Sequence, residues 1–246
     1  LVHRNGAAQL TADLGALVAE LPRLAADYEV VVVDNASRDD SVNVLKALTL
    51  DAGLPNLQVF ALATEVDADI AIWVGLDNAL GDFVAVFDPA QDSAEALRAM
   101  LDRAMHGADV VVAVNRETPR AGPLYRALGA AFALLYGLAH GVRFVRDTAP
   151  YRLLSRNAVN LVLRHPTPAM TYRQLSQLAG FEQAQVTYSA APRRPQTKAI
   201  GASIDRGLRL LFSTTRAPMR SVTWLATVAA TLNVLYSMYV VAVYLL

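Results

Sequence analysis

The sequence predicts an α/β fold, a mostly parallel sheet flanked by helices, joined to a helix that crosses a membrane. Runs of consecutive apolar, mostly β-branched residues in Glu29–Val33 (EVVVV), Phe83–Phe87 (FVAVF) and Asp109–Val114 (DVVVAV) alternate with stretches of helical period. Such runs suit strands buried on both faces, and their alternation with helices suits parallel pairing. The membrane helix is read from the chain's end, where Val222–Leu246 holds no Asp, Glu, Lys, Arg or His. A helix of that length extends about 37 Å, against about 30 Å of bilayer hydrocarbon. Arg216 and Arg220 stand just before it, and Trp224 lies where a ring meets the headgroups.

Each element follows from its local pattern. Ala7–Leu21 has apolar positions at helical spacing and is closed by Pro22. After the EVVVV strand, Ser41–Ala52 is helical, with Ser41 as a plausible N-cap and Gly53 as its stop. Leu57–Leu62 is a second strand, Asp67–Ala79 a helix and Phe83–Phe87 a third strand. Ser93–His106 is a helix opening on Ser-Ala-Glu, and Asp109–Val114 a fourth strand. Beyond Asn115 the rhythm changes: a polar loop over Arg116–Gly122, an apolar helix over Leu124–Leu138 and an extended segment over Val142–Tyr151. Helices near Ser155–Leu163 and Thr171–Ala179 and a strand at Gln185–Tyr188 come next. Ile200–Phe212 puts Ile200, Ile204, Leu208 and Leu211 on one face, as a helix lying in a membrane interface does. The expected domains are therefore 1–199, a juxtamembrane segment at 200–221 and the spanning helix at 222–246.

Composition narrows the chemistry. The chain has 246 residues, with Lys+Arg and Asp+Glu equal at 22 each, so no overall positive field draws it to nucleic acid. It has no cysteine, which removes disulfides, thiolate nucleophiles and Cys-based metal sites. His3, His106, His140 and His165 are scattered without metal-ligand spacing. No GxGxxG, GxxxxGK[ST] or GxSxG pattern is present, which disfavours dinucleotide enzymes, P-loop NTPases and serine hydrolases. The chain opens at Leu1-Val2 without methionine or signal peptide, so a preceding piece is to be expected.

In an open parallel sheet, ligands bind beyond the carboxyl ends of the strands. Three polar clusters fall there: Asp34-Asn35-Ala36-Ser37, Asp88-Pro89-Ala90-Gln91-Asp92, and Arg116 with Arg120. Asp, Asn and Pro also end strands simply because they favour turns. Carboxylates at two strand ends and arginines at a third nevertheless suit a divalent cation and a phosphorylated ligand together.

These residues also form a pattern. EVVVVDNASRDDS resembles a strand followed by D-(D/N)-(G/A)-S-x-D-x-(S/T), and DADIAIWVGLDNALGDFVAVFD resembles a helix, Gly-Asp turn and strand ending in Asp. NRETPRAGPLYRALG, DTAPYRLLSR, RRPQTK and FSTTRAPMR follow in matching order. Together they resemble the glycosyltransferases of family 2 with the Rossmann-like GT-A fold, in particular the polyprenyl-phosphate glycosyltransferases that include dolichyl-phosphate mannose synthase. The resemblance implies sugar transfer from a nucleotide-sugar donor to a polyprenyl phosphate, with inversion and with Mg2+ or Mn2+. It implies that Asp34, with Asn35 and Ser37, binds the donor, and that Arg194 and Lys198 close over its diphosphate. It implies that Asp88, Gln91 and Asp92 hold the metal, and that Arg116 and Arg126 receive the lipid phosphate.

Three departures stand out. Asp88–Asp92 is one residue shorter than the family's D-A-D-L-Q-D, so the middle aspartate has no counterpart and Asp92 is the candidate substitute. Ala63–Asp67 lacks the family's Arg and Gly, and Pro195-Gln196 replaces the glycine between Arg194 and Lys198. Two alternatives stay open: transfer to a saccharide hydroxyl, with Asp147 as base, and a non-catalytic nucleotide-sugar-binding relative. Arg206, Arg209, Arg216 and Arg220 on the N-terminal side of the span place the domain on the cytoplasmic face, that of a bacterial inner membrane. Expected partners are donor, acceptor and membrane lipids, with homo-oligomerisation left open and nucleic acid excluded.

Overall fold

The structure, a computed structural model, describes residues 1–50, 52–89, 91–117, 150–165, 180–190 and 217–245, with positions 122, 127, 129–132, 134 and 172. The chain divides into two compact units, residues 1–120 with 147–196 and residues 121–146 with 197–246.

The first unit opens with β1 (Val2–His3) and α1 (Ala7–Glu20), which tightens into a 3-10 turn over Leu21–Arg23 where Pro22 stands. Strict alternation follows: β2 (Val30–Asp34), α2 (Ser41–Leu48), β3 (Leu57–Ala61), α3 (Ala68–Asn78), β4 (Phe83–Val86), α4 (Ala94–Met105) and β5 (Val110–Asn115). Then come β6 (Arg152–Ser155), α5 (Arg156–Arg164) and β7 (Gln183–Tyr188). At α3, α4 and α5 the helix start is fixed by a capping side chain that satisfies a free amide of the first turn. Asp67 accepts from Asp69 N at 3.1 Å, Ser93 from Glu95 N at 3.2 Å and Ser155 from Ala158 N at 3.3 Å.

β1, β2 and β3 pair in parallel, and a second sheet runs β4-β6-β5-β7. In that sheet β5 and β7 are parallel, whereas β6 lies antiparallel between β4 and β5. The pleat sends neighbouring residues to opposite faces. Val111 and Leu153 pack on Leu97 and Met100 of α4, while Val110 and Leu154 pack on Leu76 of α3 and Val159 and Val162 of α5. Around β2, Val30 and Val32 pack with Leu10, Leu14 and Val18 of α1 and Leu45 of α2. The apolar runs are thus strands covered on both sides.

Four points need correcting. β6 was not expected, because Arg152 interrupts its apolar run; here Arg152 is fully buried and gives its guanidinium to the Tyr172 carbonyl at 2.7 Å. α2 starts on Ser41 itself, with Asp40 in the cap position, because the Ser41 hydroxyl is turned to Asp39. That helix also ends early, at Leu48, where Leu54 N binds the Leu48 carbonyl at 2.8 Å. Gly53 permits this closure, since a Cβ there would lie 2.1 Å from the same oxygen. β1 was also unforeseen, its two residues being too few for a periodic signal. The helices expected at Leu124–Leu138, Thr171–Ala179 and Ile200–Phe212 lie largely or wholly outside the described residues, as does most of the extended segment at Val142–Tyr151.

In the second unit, α6 (Ala217–Leu245) contains the stretch Ala226–Tyr244, 19 residues long with mean hydropathy 1.6 and none of it buried. It is long and apolar enough to cross a membrane. Its exposed Leu232, Leu235, Val240 and Val243 are unsuited to water and suited to lipid.

Candidate functional site

The ends of β1 and β2 are zipped together. Asp34 has no exposed surface and accepts two hydrogen bonds from Ser37, one from its backbone N at 3.0 Å and one from its hydroxyl. Ser37 in turn accepts from Asn5 N at 2.9 Å, and Asn5 accepts from Arg38 N at 2.9 Å. Asn35 clamps Val66 from both sides, donating to its carbonyl at 2.8 Å and accepting from its N at 2.9 Å. Asn5 (φ 50°) and Ala36 (φ 53°) sit in the left-handed region, where non-glycine residues are uncommon and cluster at functional sites. The Arg4–Glu65 ion pair adds a tie from β1 to the loop before α3. Three of the five donor-binding candidates, Asp34, Asn35 and Ser37, therefore lie in this knot, held by hydrogen bonds among themselves and to neighbouring loops.

Asp39, which the sequence reading passed over, holds this zipper from outside. Its carboxylate accepts from Gly6 N at 2.6 Å, Ala7 N at 3.1 Å and the Ser41 hydroxyl at 2.5 Å. The Gly6 amide above all, with the Ser41 hydroxyl and the Ala7 amide, holds it well below the usual carboxylate range. A lowered folded value means the charge contributes stability above the unfolded value, near pH 4, and loses it as pH falls toward the folded value. Asp39→Asn should lower Tm at pH 7, and the gap to wild type should persist to pH 5 and narrow below pH 4. Thermal melts across that range check it.

At the end of β4 the chain turns tightly. Asp92 N and Gln91 N bind the Asp88 carbonyl at 2.8 and 3.0 Å, and Asp92 Oδ2 accepts from Asp88 N at 2.7 Å. Gln91 Nε2 donates to Asp88 Oδ2 at 2.7 Å. The three metal candidates thus share one turn. Burial pushes the Asp92 carboxyl up to about 7, despite the hydrogen bonds it accepts, and the Asp88 charge adds to the rise. On one side the turn borders a groove of about 780 Å3, also lined by Asp13 and Leu17 of α1 and by Ser189 and Ala190.

The donor set is one of hard oxygens, two carboxylates and an amide, the type that Mg2+ and Mn2+ take. Among the described residues no group of three His, Cys, Asp or Glu side chains could hold a metal alone. The residues fit a cation that draws the rest of its shell from phosphate and water.

The third cluster stands beside the second. Arg116 is exposed just past β5; its N donates to the Tyr188 carbonyl at 2.9 Å and its Nη2 to Thr187 Oγ1 at 3.2 Å. Asn115 fastens the same strand end to Ala190 through a 2.7 Å bond to its carbonyl. Tyr188 then donates its hydroxyl to Asp92 Oδ1 at 3.0 Å, tying the arginine's strand pair to the Asp88–Asp92 turn. Tyr188 was not singled out from sequence, because its partner is 96 residues away and nothing local marks it. Arg120, Arg126, Asp147, Arg194 and Lys198 lie outside the described residues.

Residues 12–173 match the family model described as Glycosyl transferase family 2. An uncharacterised glycosyltransferase of Synechocystis is 24% identical over 92% of this chain and 71% of its own. A prophage bactoprenol glucosyl transferase homolog of Escherichia coli K12 is 23% identical over 87% of this chain and 71% of its own. Among solved structures, glucosyl-3-phosphoglycerate synthase from Mycobacterium tuberculosis, in complex with Mn2+, UDP and phosphoglyceric acid, superposes with a TM-score of 0.59. It is 18% identical and covers 86% of this chain and 75% of its own, a likeness of fold.

Proposed function

The chain belongs to glycosyl transferase family 2, and from that premise we propose that it moves a sugar from a nucleoside-diphosphate sugar to a polyprenyl phosphate at a membrane surface. The observation that carries the reading is the joining, through Tyr188, of a carboxylate turn to the strand end bearing an exposed arginine. A transferase with a phosphate acceptor needs both: oxygen ligands for a cation that meets the donor's diphosphate, and a fixed positive side chain for the acceptor's phosphate. The bactoprenol transferase relative and the Mn2+ and UDP of the mycobacterial neighbour support the two halves separately.

In this reading the base of the donor lies at the end of β2, where Asp34 fixes the Asn35–Ser37 loop. Asp88 would hold Mg2+ or Mn2+, with Gln91 orienting its carboxylate and Asp92 bracing the turn or adding a second ligand. When held there, such a cation would supply positive charge to offset that on the departing diphosphate. Arg116, with Arg126, aligns the acceptor phosphate, and Arg194 and Lys198 cover the donor's diphosphate. A phosphate oxygen forms the new bond to the anomeric carbon while the bond to the nucleoside diphosphate breaks, its electron pair leaving with the diphosphate. Attack from the face opposite the leaving group inverts the configuration. A phosphate monoester with a second pKa near 6 is already ionised at pH 7, so positioning takes the place of a general base.

In the same proposal α6 is the anchor, and the arginines before it support a cytoplasmic side for the domain, where nucleotide sugars are made. A panel of UDP- and GDP-sugars, incubated with the lipid-reconstituted chain, tests the reading through nucleotide release. Release should depend on added polyprenyl phosphate. Equal release with a free saccharide as the only acceptor would favour a hydroxyl acceptor instead.

A further inference from the structure

Three aromatic rings form a row beside the turn that follows β4. Phe87 meets Tyr151 edge-on at 5.4 Å, and Tyr151 meets Tyr188 edge-on at 5.9 Å, so three rings run from the end of β4 across β6 to the end of β7. The hydroxyls of the two tyrosines then diverge. Tyr151 donates to the Ser93 carbonyl at 3.1 Å, where α4 begins. Tyr188 donates to Asp92, whose other oxygen holds the Asp88 amide.

We infer that Tyr188 is a positioning residue for the Asp88–Asp92 turn, fixing the carboxylates that face a divalent cation; the cation part rests on the function proposed above. Asp92 has two oxygens and each does separate work. Oδ2 closes the turn on the Asp88 amide, and Oδ1 is held from β7, which sets the plane of the carboxylate. Without the hydroxyl the Asp92 carboxylate keeps only its bond from the Asp88 amide, so that bond loosens and with it the backbone at Asp88, while Gln91 still holds the Asp88 carboxylate. Such outer partners of a ligand set tune affinity for the ion without touching it. Tyr188 is suited to this because β7 pairs with β5 along its whole length, with Tyr188 opposite Asn115. The position of the hydroxyl is therefore set by the sheet and not by a loop.

Tyr188→Phe removes only the hydroxyl and keeps the ring stack. In the lipid-reconstituted full chain, amide hydrogen exchange of the peptide spanning 87–93 should quicken several-fold while the rest of the first unit stays as in wild type. Mn2+ affinity, titrated by electron paramagnetic resonance in the presence of UDP, should fall about tenfold. At saturating Mn2+, kcat should return close to wild type, which a residue touching the reacting atoms would not allow. Unchanged exchange at 87–93, or faster exchange throughout the unit, would overturn the positioning role. Faster exchange confined to 87–93 with Mn2+ affinity unchanged would overturn the cation part. If the turn loosens yet the wild type takes up no Mn2+, the hold on the turn stands and it is the metal reading above that falls.

Discussion

Asp88→Ala should lower sugar transfer by on the order of a thousandfold or more at any Mg2+ or Mn2+ concentration that can be reached. Asp88 directly follows Phe87, at the end of β4, and its carboxylate is oriented by Gln91 at 2.7 Å. Among the described residues the turn offers no third acidic side chain to replace it. Magnesium commonly takes one or two protein carboxylates and fills its shell with phosphate and water, so losing the principal one removes most of the protein's hold. Asp92→Ala should act differently, raising the metal concentration for half-maximal rate while leaving a measurable kcat. Metal titrations of both variants at fixed donor separate the roles. Full wild-type activity in excess EDTA would remove the cation from the account altogether.

Arg116→Ala should reduce kcat/KM for the lipid acceptor by roughly ten- to a hundredfold, the worth of a charge-assisted hydrogen bond to phosphate. Donor affinity should stay within about twofold of wild type, because a lost acceptor contact leaves nucleotide binding untouched. The backbone N of Arg116 is bound to Tyr188 and its guanidinium rests on Thr187, so the side chain is exposed yet held on the strand pair. Arg116→Lys keeps the charge but loses the planar fork, and should recover only part of the activity. Loss of nucleotide affinity with acceptor kinetics unchanged would move Arg116 out of the acceptor site.

How far the sequence could be read depended on the range of the interactions involved. Strands β2, β4 and β5 were legible because burial on both faces leaves an unbroken apolar run. Helix starts at Asp67, Ser93 and Ser155 were legible because capping is local, acting within three residues. β6 was hidden because Arg152, fully buried, reads as a surface residue until its partner, the Tyr172 carbonyl 20 residues on, is known. Ser41 was misjudged as a cap because the competing acceptor, Asp39, has a second task at the start of α1. The three strand-end clusters were visible as composition. Their connection was not: the Tyr188–Asp92 bond depends on β7 pairing beside β5, a fact of topology.

The central claim concerns which bond is made, and the mass and linkage of the product test it most directly. The lipid-reconstituted chain, given a sugar nucleotide that supports turnover and a defined polyprenyl phosphate, should yield a lipid carrying one sugar through a single phosphate. Nuclear magnetic resonance should find the anomeric configuration opposite to that of the donor. A lipid carrying two phosphates between sugar and chain would mean that a sugar phosphate, and not a sugar, had been moved. Either that outcome, or sugar found only on a hydroxyl acceptor, would contradict the account.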